Sequence, residues 1–183
     1  MAQFTKKAII TTFIELLNQR SLDKITVKDI VEKCDINHNT FYYYYRDIYD
    51  LIEDIMRTEV ENVQKQYEGD GSFYDELRQG ISLILENKAA FTHLYYSRSK
   101  DIIEEYINEI SEKFARKFIE KKAEELSIGN DANVRFICNW YRFAISESIL
   151  KWIQTENASD PDTFIRKIAA VYESTIATAL LSI

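Results

Sequence analysis

The stretch best equipped for recognition chemistry is Asn37-His38-Asn39-Thr40, which is followed by Phe41 and four successive tyrosines. An amide side chain can pair with both hydrogen-bonding groups on an adenine edge, and a threonine methyl group can touch thymine. Four neighbouring tyrosines cannot all be buried on one helix, because successive side chains turn by about 100°. The segment therefore suits a surface that reads DNA bases, although Asn37 could serve only as a helix cap and His38 only as a solvated side chain.

Two short helices are predicted on either side of the turn that precedes this run. Thr26 is the expected N-cap of a helix over residues 27–33, with Asp29 near its positive end, and Asn37 is the expected N-cap of the next helix. Two short helices joined by a turn of three or four residues form a helix-turn-helix, whose second helix enters the major groove. Thr26 and Lys28 lie where free backbone N–H groups attract phosphate.

The rest of the chain is also expected to be helical. Among 183 residues there are only four glycines and one proline, and 46% of the residues are apolar, which favours an all-α fold over a sandwich or barrel. We predict about nine helices. The first has about five turns from Phe4, the second covers 27–33, and a short third follows Asn37 and ends at Arg46-Asp47. The others cover 48–68, 73–86, 88–96, 100–126, 132–155 and 161–183. Residues 69–72, Gly-Asp-Gly-Ser, are the expected linker.

Nothing in the sequence favours catalysis. Cys34 and Cys138 belong to no CxxC pattern, and His38 and His93 have no metal-ligand companion at a useful spacing. Gly-rich phosphate loops and the GxSxG and HExxH motifs are missing. We therefore expect no enzyme activity, no metal and no cofactor. Without a signal-like apolar core or a long uncharged span, we also expect a cytoplasmic protein that does not enter the membrane.

The chain carries a net charge of −7 at pH 7, so it has no overall attraction for phosphate. Residues 1–57 contain eight basic and nine acidic side chains and are therefore close to neutral. Any contact with nucleic acid must be local and must use hydroxyls, backbone amides and a few cations.

The run from Lys7 to Leu51 resembles the N-terminal DNA-binding domain of the TetR family of transcriptional regulators. The matching features are Ala8 and Phe13 in the first helix, Ile25-Thr26-Val27, Asp29-Ile30, and Asn39-Thr40-Phe41-Tyr42-Tyr43. Residues 137–153, which end in a Lys-Trp pair before Ile153, are similar to the C-terminal region of one TetR subgroup. The resemblance implies an N-terminal three-helix helix-turn-helix DNA-binding domain, residues 1–47, and a larger helical domain, residues 48–183, that dimerises and often binds a small effector.

The resemblance also assigns roles within the four tyrosines. It implies that Tyr43 and Tyr44 meet the phosphate backbone, whereas Phe41 and Tyr45 pack inside. The family usually has Gly where this chain has Asp35 and Lys where it has Ile48, and Arg46 is the nearest replacement for that lysine. The expected DNA contacts are thus Thr26, Lys28, Asn37, His38, Asn39, Thr40, Tyr43, Tyr44 and Arg46.

The second domain offers candidates for a ligand pocket and a dimer interface. His93, Tyr96 and Tyr141 bring polar groups into an apolar bundle, as in small-molecule pockets, although satisfied core groups would look the same. The last two helices carry apolar faces that can serve both their own domain and a second copy. The expected interface residues are Trp140, Ile149, Trp152, Ile168, Tyr172 and Ile176.

We therefore predict a dimeric TetR-type regulator, in the usual family manner a repressor, bound to a palindromic duplex operator and released or shifted by a small effector. The alternative is a TetR-like adaptor or coregulator that acts mainly through a protein partner. Asp35, Ile48 and the near-neutral charge of the first 57 residues favour that alternative.

Overall fold

A computed structural model describes residues 2–66, 71–155 and 159–182. These residues contain a short 3-10 turn, Leu22–Lys24, and no strand. Their ten α-helices are α1 (Ala2–Gln19), α2 (Val27–Cys34), α3 (His38–Tyr44), α4 (Ile48–Gln66), α5 (Phe73–Gly80), α6 (Ser82–Glu86), α7 (Lys88–Tyr95), α8 (Lys100–Glu125), α9 (Ala132–Gln154) and α10 (Pro161–Leu181). The all-α prediction is confirmed.

One predicted helix, residues 73–86, is wrong as a continuous element. It divides into α5 and α6 at Ile81, whose backbone leaves the helical region with φ −110° and ψ 17°. Gly80 lies just before the break, and glycine has the lowest helix preference after proline. Of the predicted linker, Gly69 and Asp70 lie outside the described residues, and Ser72 is the N-cap of α5.

The helix starts follow the capping chemistry predicted from the sequence. At α2, the Thr26 side chain accepts from the Asp29 N–H and the Asp29 carboxylate accepts from the Thr26 N–H, which completes a capping box. At α10, Asp160 caps the helix and Pro161 occupies its first turn. The bonds confirm both predicted caps. Sequence could predict them because each cap joins residues only three positions apart.

The chain forms two compact units. The first comprises residues up to 59 together with 83–104, and its α1 packs on α2 and α7. Polar bonds join α1 to α7: the Asn18 amide donates to Asn87 Oδ1 at 2.9 Å, and the Ala90 N–H donates to Asn18 Oδ1 at 3.2 Å. A small apolar cavity of about 20 Å³ lies between α1, α4, α6 and α7, which is about the space that one water molecule needs.

The second unit comprises residues 60–82 and 105–183, and its core is aromatic. The rings of Phe73 and Tyr172 stack with centroids 4.0 Å apart, and the Tyr172 hydroxyl donates to the Phe118 carbonyl oxygen at 2.9 Å. Beside them Lys117 Nζ donates to both carboxylate oxygens of the buried Glu76, at 2.8 and 2.7 Å. These bonds tie α5, α8 and α10 together.

Among the described helices, none combines the length and the apolar character needed to cross a bilayer.

Candidate nucleic-acid interface

The recognition segment α3 buries one face and exposes the other. Phe41 is completely buried and Tyr45 is 3% exposed, whereas His38 and Asn39 are exposed and Tyr43 is 80% exposed. The predicted burial of Phe41 and Tyr45 is thus confirmed. Asn39 and Tyr43 are four residues apart, so they share the face that points away from the protein. Tyr44 is half-buried, with its ring edge-on to that of Tyr43.

A buried carboxylate anchors the C-terminal end of α3. The Tyr45 hydroxyl donates to Asp54 Oδ2 at 3.0 Å, Lys6 Nζ pairs with the same oxygen at 2.8 Å, and an Arg57 nitrogen pairs with Oδ1 at 2.8 Å. Burial alone would raise the pKa of Asp54, but the bonds from Lys6, Tyr45 and Arg57 together lower it. Desolvation and the Asp54 carboxylate raise the pKa of Tyr45. The Asp54 carboxylate therefore stays charged and the Tyr45 hydroxyl keeps its proton. Their hydrogen bond, with the ion pair to Lys6, holds the end of α3 to α4 and α1.

The turn before α3 reaches the left-handed backbone region without a glycine. Asp35 adopts the left-handed conformation, with φ 54° and ψ 46°. Asn and Asp are the residues besides glycine that visit this region, because their short side chains can bond locally. The substitution of Asp for the usual Gly is therefore compatible with the turn and leaves a negative charge on its surface.

Two of the predicted base-contacting residues, Asn37 and Thr40, are bonded to each other. The Asn37 Oδ1 accepts from the Thr40 N–H at 2.8 Å and from the Thr40 hydroxyl at 3.1 Å. Asn37 is therefore the N-cap of α3, as predicted, and its Nδ2 group remains outside this bond pair. His38 and Asn39, at the start of the helix, are exposed as well.

One of the predicted phosphate contacts, Thr26, is already bonded within the chain. The Thr26 hydroxyl donates to Asp29 Oδ2 at 2.6 Å, and Arg20 pairs with the other oxygen at 2.9 Å. The Thr26 bonds, followed by the Arg20 bond, lower the pKa of Asp29 from 3.8 to about 2.

Both predicted cations also have carboxylate partners. Lys28 lies 3.6 Å from Glu32, and Arg46 lies 3.1 Å from Asp50. The side chains of Lys28 and Arg46 are 71% and 82% exposed, so each can reach solvent. The i,i+4 spacing of each pair is a sequence signal for these bonds that the charge count alone misses.

The predicted ligand-pocket residues are divided between the two compact units. His93 Nδ1 lies 2.6 Å from the Leu17 carbonyl oxygen, so this nitrogen is the protonated donor, and Tyr96 is 67% exposed. Both belong to the first unit, whereas Tyr141 is buried in the second and its hydroxyl bonds the Thr175 hydroxyl at 2.6 Å. Two of the three thus have their polar groups satisfied within the chain.

Most of the predicted dimer residues are buried within one copy. Ile149, Trp152, Tyr172 and Ile176 are at most 8% exposed, and Ile168 is half-buried. The Trp152 indole donates to the Ser159 carbonyl oxygen at 2.9 Å and stacks on Phe164. Of the six, Trp140 alone is largely exposed, at 56%.

A different set of large apolar side chains lies on the surface of α9 and α10. We call it the α9–α10 stripe, and its members are Phe136, Trp140, Phe143, Val171 and Leu181, which are 54–67% exposed. Phe136, Phe143, Val171 and Leu181 are not among the six interface residues predicted from the sequence. For Phe136 and Phe143, the signal that could have found them is that α9 carries apolar residues all around its axis, since a helix of that kind is usually covered on every side.

A short helix with an exposed face, the buried Asp54 contacts that hold it and an all-α chain are typical of the helix-turn-helix class of DNA-binding proteins. Residues 9–55 match the family model for bacterial regulatory proteins of the tetR family. Residues 71–174 match the model for the C-terminal region of such transcriptional regulators, TetR_C_8. The chain belongs to the TetR family of transcriptional regulators.

Individual relatives agree with this assignment. Over 93 residues the chain is 29% identical to YxbF, an uncharacterised HTH-type transcriptional regulator of Bacillus subtilis, a match that spans 51% of this chain and 23% of YxbF. The solved structure of the dihydroxyacetone kinase operon activator DhaS superposes with a TM-score of 0.77 at 21% identity, covering 95% of this chain and 97% of DhaS. A TetR regulator from Streptococcus agalactiae superposes with a TM-score of 0.63 at 20% identity, covering 93% and 94%. At these identities the two structures show the fold alone.

Proposed function

We propose that this TetR-family regulator binds a palindromic DNA operator as a homodimer, acts as a repressor and is released or shifted by a small effector. The observation that carries the proposal is the outward face of α3, where Asn39 and Tyr43 stand opposite the buried Phe41 and Tyr45. Two such helices about 34–36 Å apart would enter successive major grooves on one side of the duplex.

We assign the contacts to DNA by side-chain chemistry. His38, Asn39 and the remaining amide donor of Asn37 face base edges, with the Thr40 methyl group beside them. The phosphate contacts are assigned to Thr26, Lys28, Tyr43, Tyr44 and Arg46. Because few of these groups are cations, we expect a shallow dependence of affinity on salt.

We assign dimerisation to the α9–α10 stripe. A two-fold axis would place the stripe of one copy on the same stripe of the other, which buries aromatic rings that one copy leaves in water. Trp140 and Ile168 would lie in this interface, and the buried Ile149, Trp152, Tyr172 and Ile176 would hold the two helices in position behind it. An exposed apolar surface of this kind is typical of an association site.

The effector would act by population shift. A ligand that prefers a different separation of the two recognition helices draws the dimer away from the DNA-competent state, by no more than its differential affinity. His93, Tyr96 and Tyr141 remain the candidate contacts for it, and the functional division into residues 1–47 for DNA and 48–183 for ligand and dimerisation remains part of the proposal. We expect this regulator to act in the cytoplasm and to catalyse no reaction.

The second candidate function is that of an adaptor that binds a protein partner. It is favoured by the paired state of Lys28 and Arg46 and by Ile48 in place of the usual lysine. Each of these features reduces the positive charge that α3 and its neighbours offer to phosphate.

The deciding experiment selects bound duplexes from a randomised pool and measures their affinity by gel shift between about 50 and 200 mM salt. The regulator predicts an enriched palindrome, and Asn39→Ala should change the selected sequence. Absence of any enriched or shifted duplex at the lowest salt would reject the regulator in favour of the adaptor.

A further inference from the structure

Arg46 is held by a carboxylate directly after the recognition helix. Its guanidinium donates to Asp50 Oδ1 at 3.1 Å, and its backbone N–H donates to Asp50 Oδ2 at 2.9 Å. Arg46 directly follows Tyr45, the C-cap of α3, the helix whose exposed face is assigned to DNA. The Arg46 bonds lower the pKa of Asp50, and Asp50 raises that of Arg46. Both groups therefore stay charged at neutral pH.

A phosphate group must compete with this carboxylate for Arg46. The two acceptors use the same guanidinium donors, and a phosphate contact at this nitrogen would leave Asp50 without its ion pair beside the negatively charged backbone. The pair is accessible to that exchange, because the Arg46 side chain is 82% exposed and the Asp50 side chain is 28% exposed. Moving Arg46 from Asp50 to a phosphate therefore contributes less binding free energy than a phosphate contact made by an arginine without a carboxylate partner.

We propose that Asp50 restrains DNA binding by competing with phosphate for Arg46, and so sets the operator affinity of this regulator. The inference rests on the proposed function, because it requires that α3 meets DNA. It assigns Asp50 a role that opposes binding, although Asp50 touches no base or phosphate itself.

The test compares Asp50→Asn with Glu53→Gln. Asparagine keeps an oxygen that can accept the Arg46 backbone N–H, so the start of α4 retains its local bond while the charge is lost. Glu53 is an exposed carboxylate three residues further along α4, and among the described contacts it acts on Arg46 only as a more distant charge, with no hydrogen bond or ion pair between them. Glu53→Gln therefore reports the general effect of removing one negative charge near DNA.

Affinity is measured by gel shift over a salt series, with the selected duplex and with an unrelated duplex of equal length. We expect Asp50→Asn to bind about threefold more tightly per recognition helix than Glu53→Gln, the size of an exposed ion pair. The salt slope should steepen by about 0.9 for each Arg46 released. Both gains should appear on both duplexes, because phosphate contacts carry no sequence information.

The same two substitutions are repeated in an Arg46→Gln background. There Asp50→Asn should do no more than Glu53→Gln, because the competing cation is gone. Equal effects of the two substitutions in the wild-type background would overturn the inference, and so would weaker binding by Asp50→Asn with unchanged thermal unfolding. A wild-type protein that binds neither duplex at low salt would instead reject the proposed function.

Discussion

Trp140 offers the sharpest test of the proposed association of two copies through the α9–α10 stripe. Its side chain is 56% exposed in one copy, and a tryptophan can bury about 250 Å², so about 140 Å² remains for a partner to cover. At about 25 cal/mol per Å², complete coverage contributes about 3.5 kcal/mol per copy and about 7 kcal/mol per symmetric dimer. Trp140→Ala should therefore raise the dimer dissociation constant by up to about 100,000-fold.

Sedimentation equilibrium over a range of protein concentrations measures that constant directly. Phe4→Ala is the matched control, because Phe4 is an 81% exposed aromatic residue on α1 and lies outside the stripe. In a Trp152→Phe background Trp140 is the one remaining tryptophan, and its emission should shift to the blue as the dimer forms. If Trp140→Ala stayed as dimeric as Phe4→Ala, the α9–α10 stripe would not be the interface.

Three further predictions concern single side chains. Tyr43→Phe should weaken DNA binding by about 1 kcal/mol per lost phosphate bond while thermal unfolding stays unchanged, since the ring is 80% exposed, and equal destabilisation would place the hydroxyl in the fold instead. The pKa of Asp29 is lowered from 3.8 to about 2, so its contribution to stability is complete above about pH 4 and is lost as the pH falls towards 2. In Asp29→Asn the free energy of unfolding should therefore depend less on pH between about 4 and 2. Lys117→Met should cost about 3 kcal/mol in denaturant unfolding by leaving Glu76 buried without its cation, and a second change, Glu76→Leu, should recover most of that loss.

The features that sequence could predict are local ones. The caps at Thr26, Asn37 and Asp160 each join residues three apart, and the alternation of buried Phe41 and Tyr45 with exposed Tyr43 follows from helical geometry alone. These features suffice to place the recognition helix and its outward face.

The features that sequence could not predict depend on distant partners. The Asp54 anchor joins Lys6, Tyr45 and Arg57, and nothing in the spacing of Lys6 and Asp54 points to a contact. Likewise, Trp140 and Trp152 lie on one helix that is apolar on all sides, so only the packed neighbours decide that one is exposed and the other buried. Position in the packed molecule, not residue type, separates the two tryptophans.

The bond between Asn37 and Thr40 limits which bases the proposed operator can carry opposite Asn37. In the proposed complex, Asn37 would offer a base only its amide NH2 group, because its oxygen is occupied by Thr40. An amino group complements the N7 of a purine, the O6 of guanine or the O4 of thymine, but it cannot complement the N4 amino group of cytosine, nor can it embrace adenine at two points. The half-site facing each copy should therefore reject cytosine at that step, and methylation of a purine N7 there should interfere with complex formation.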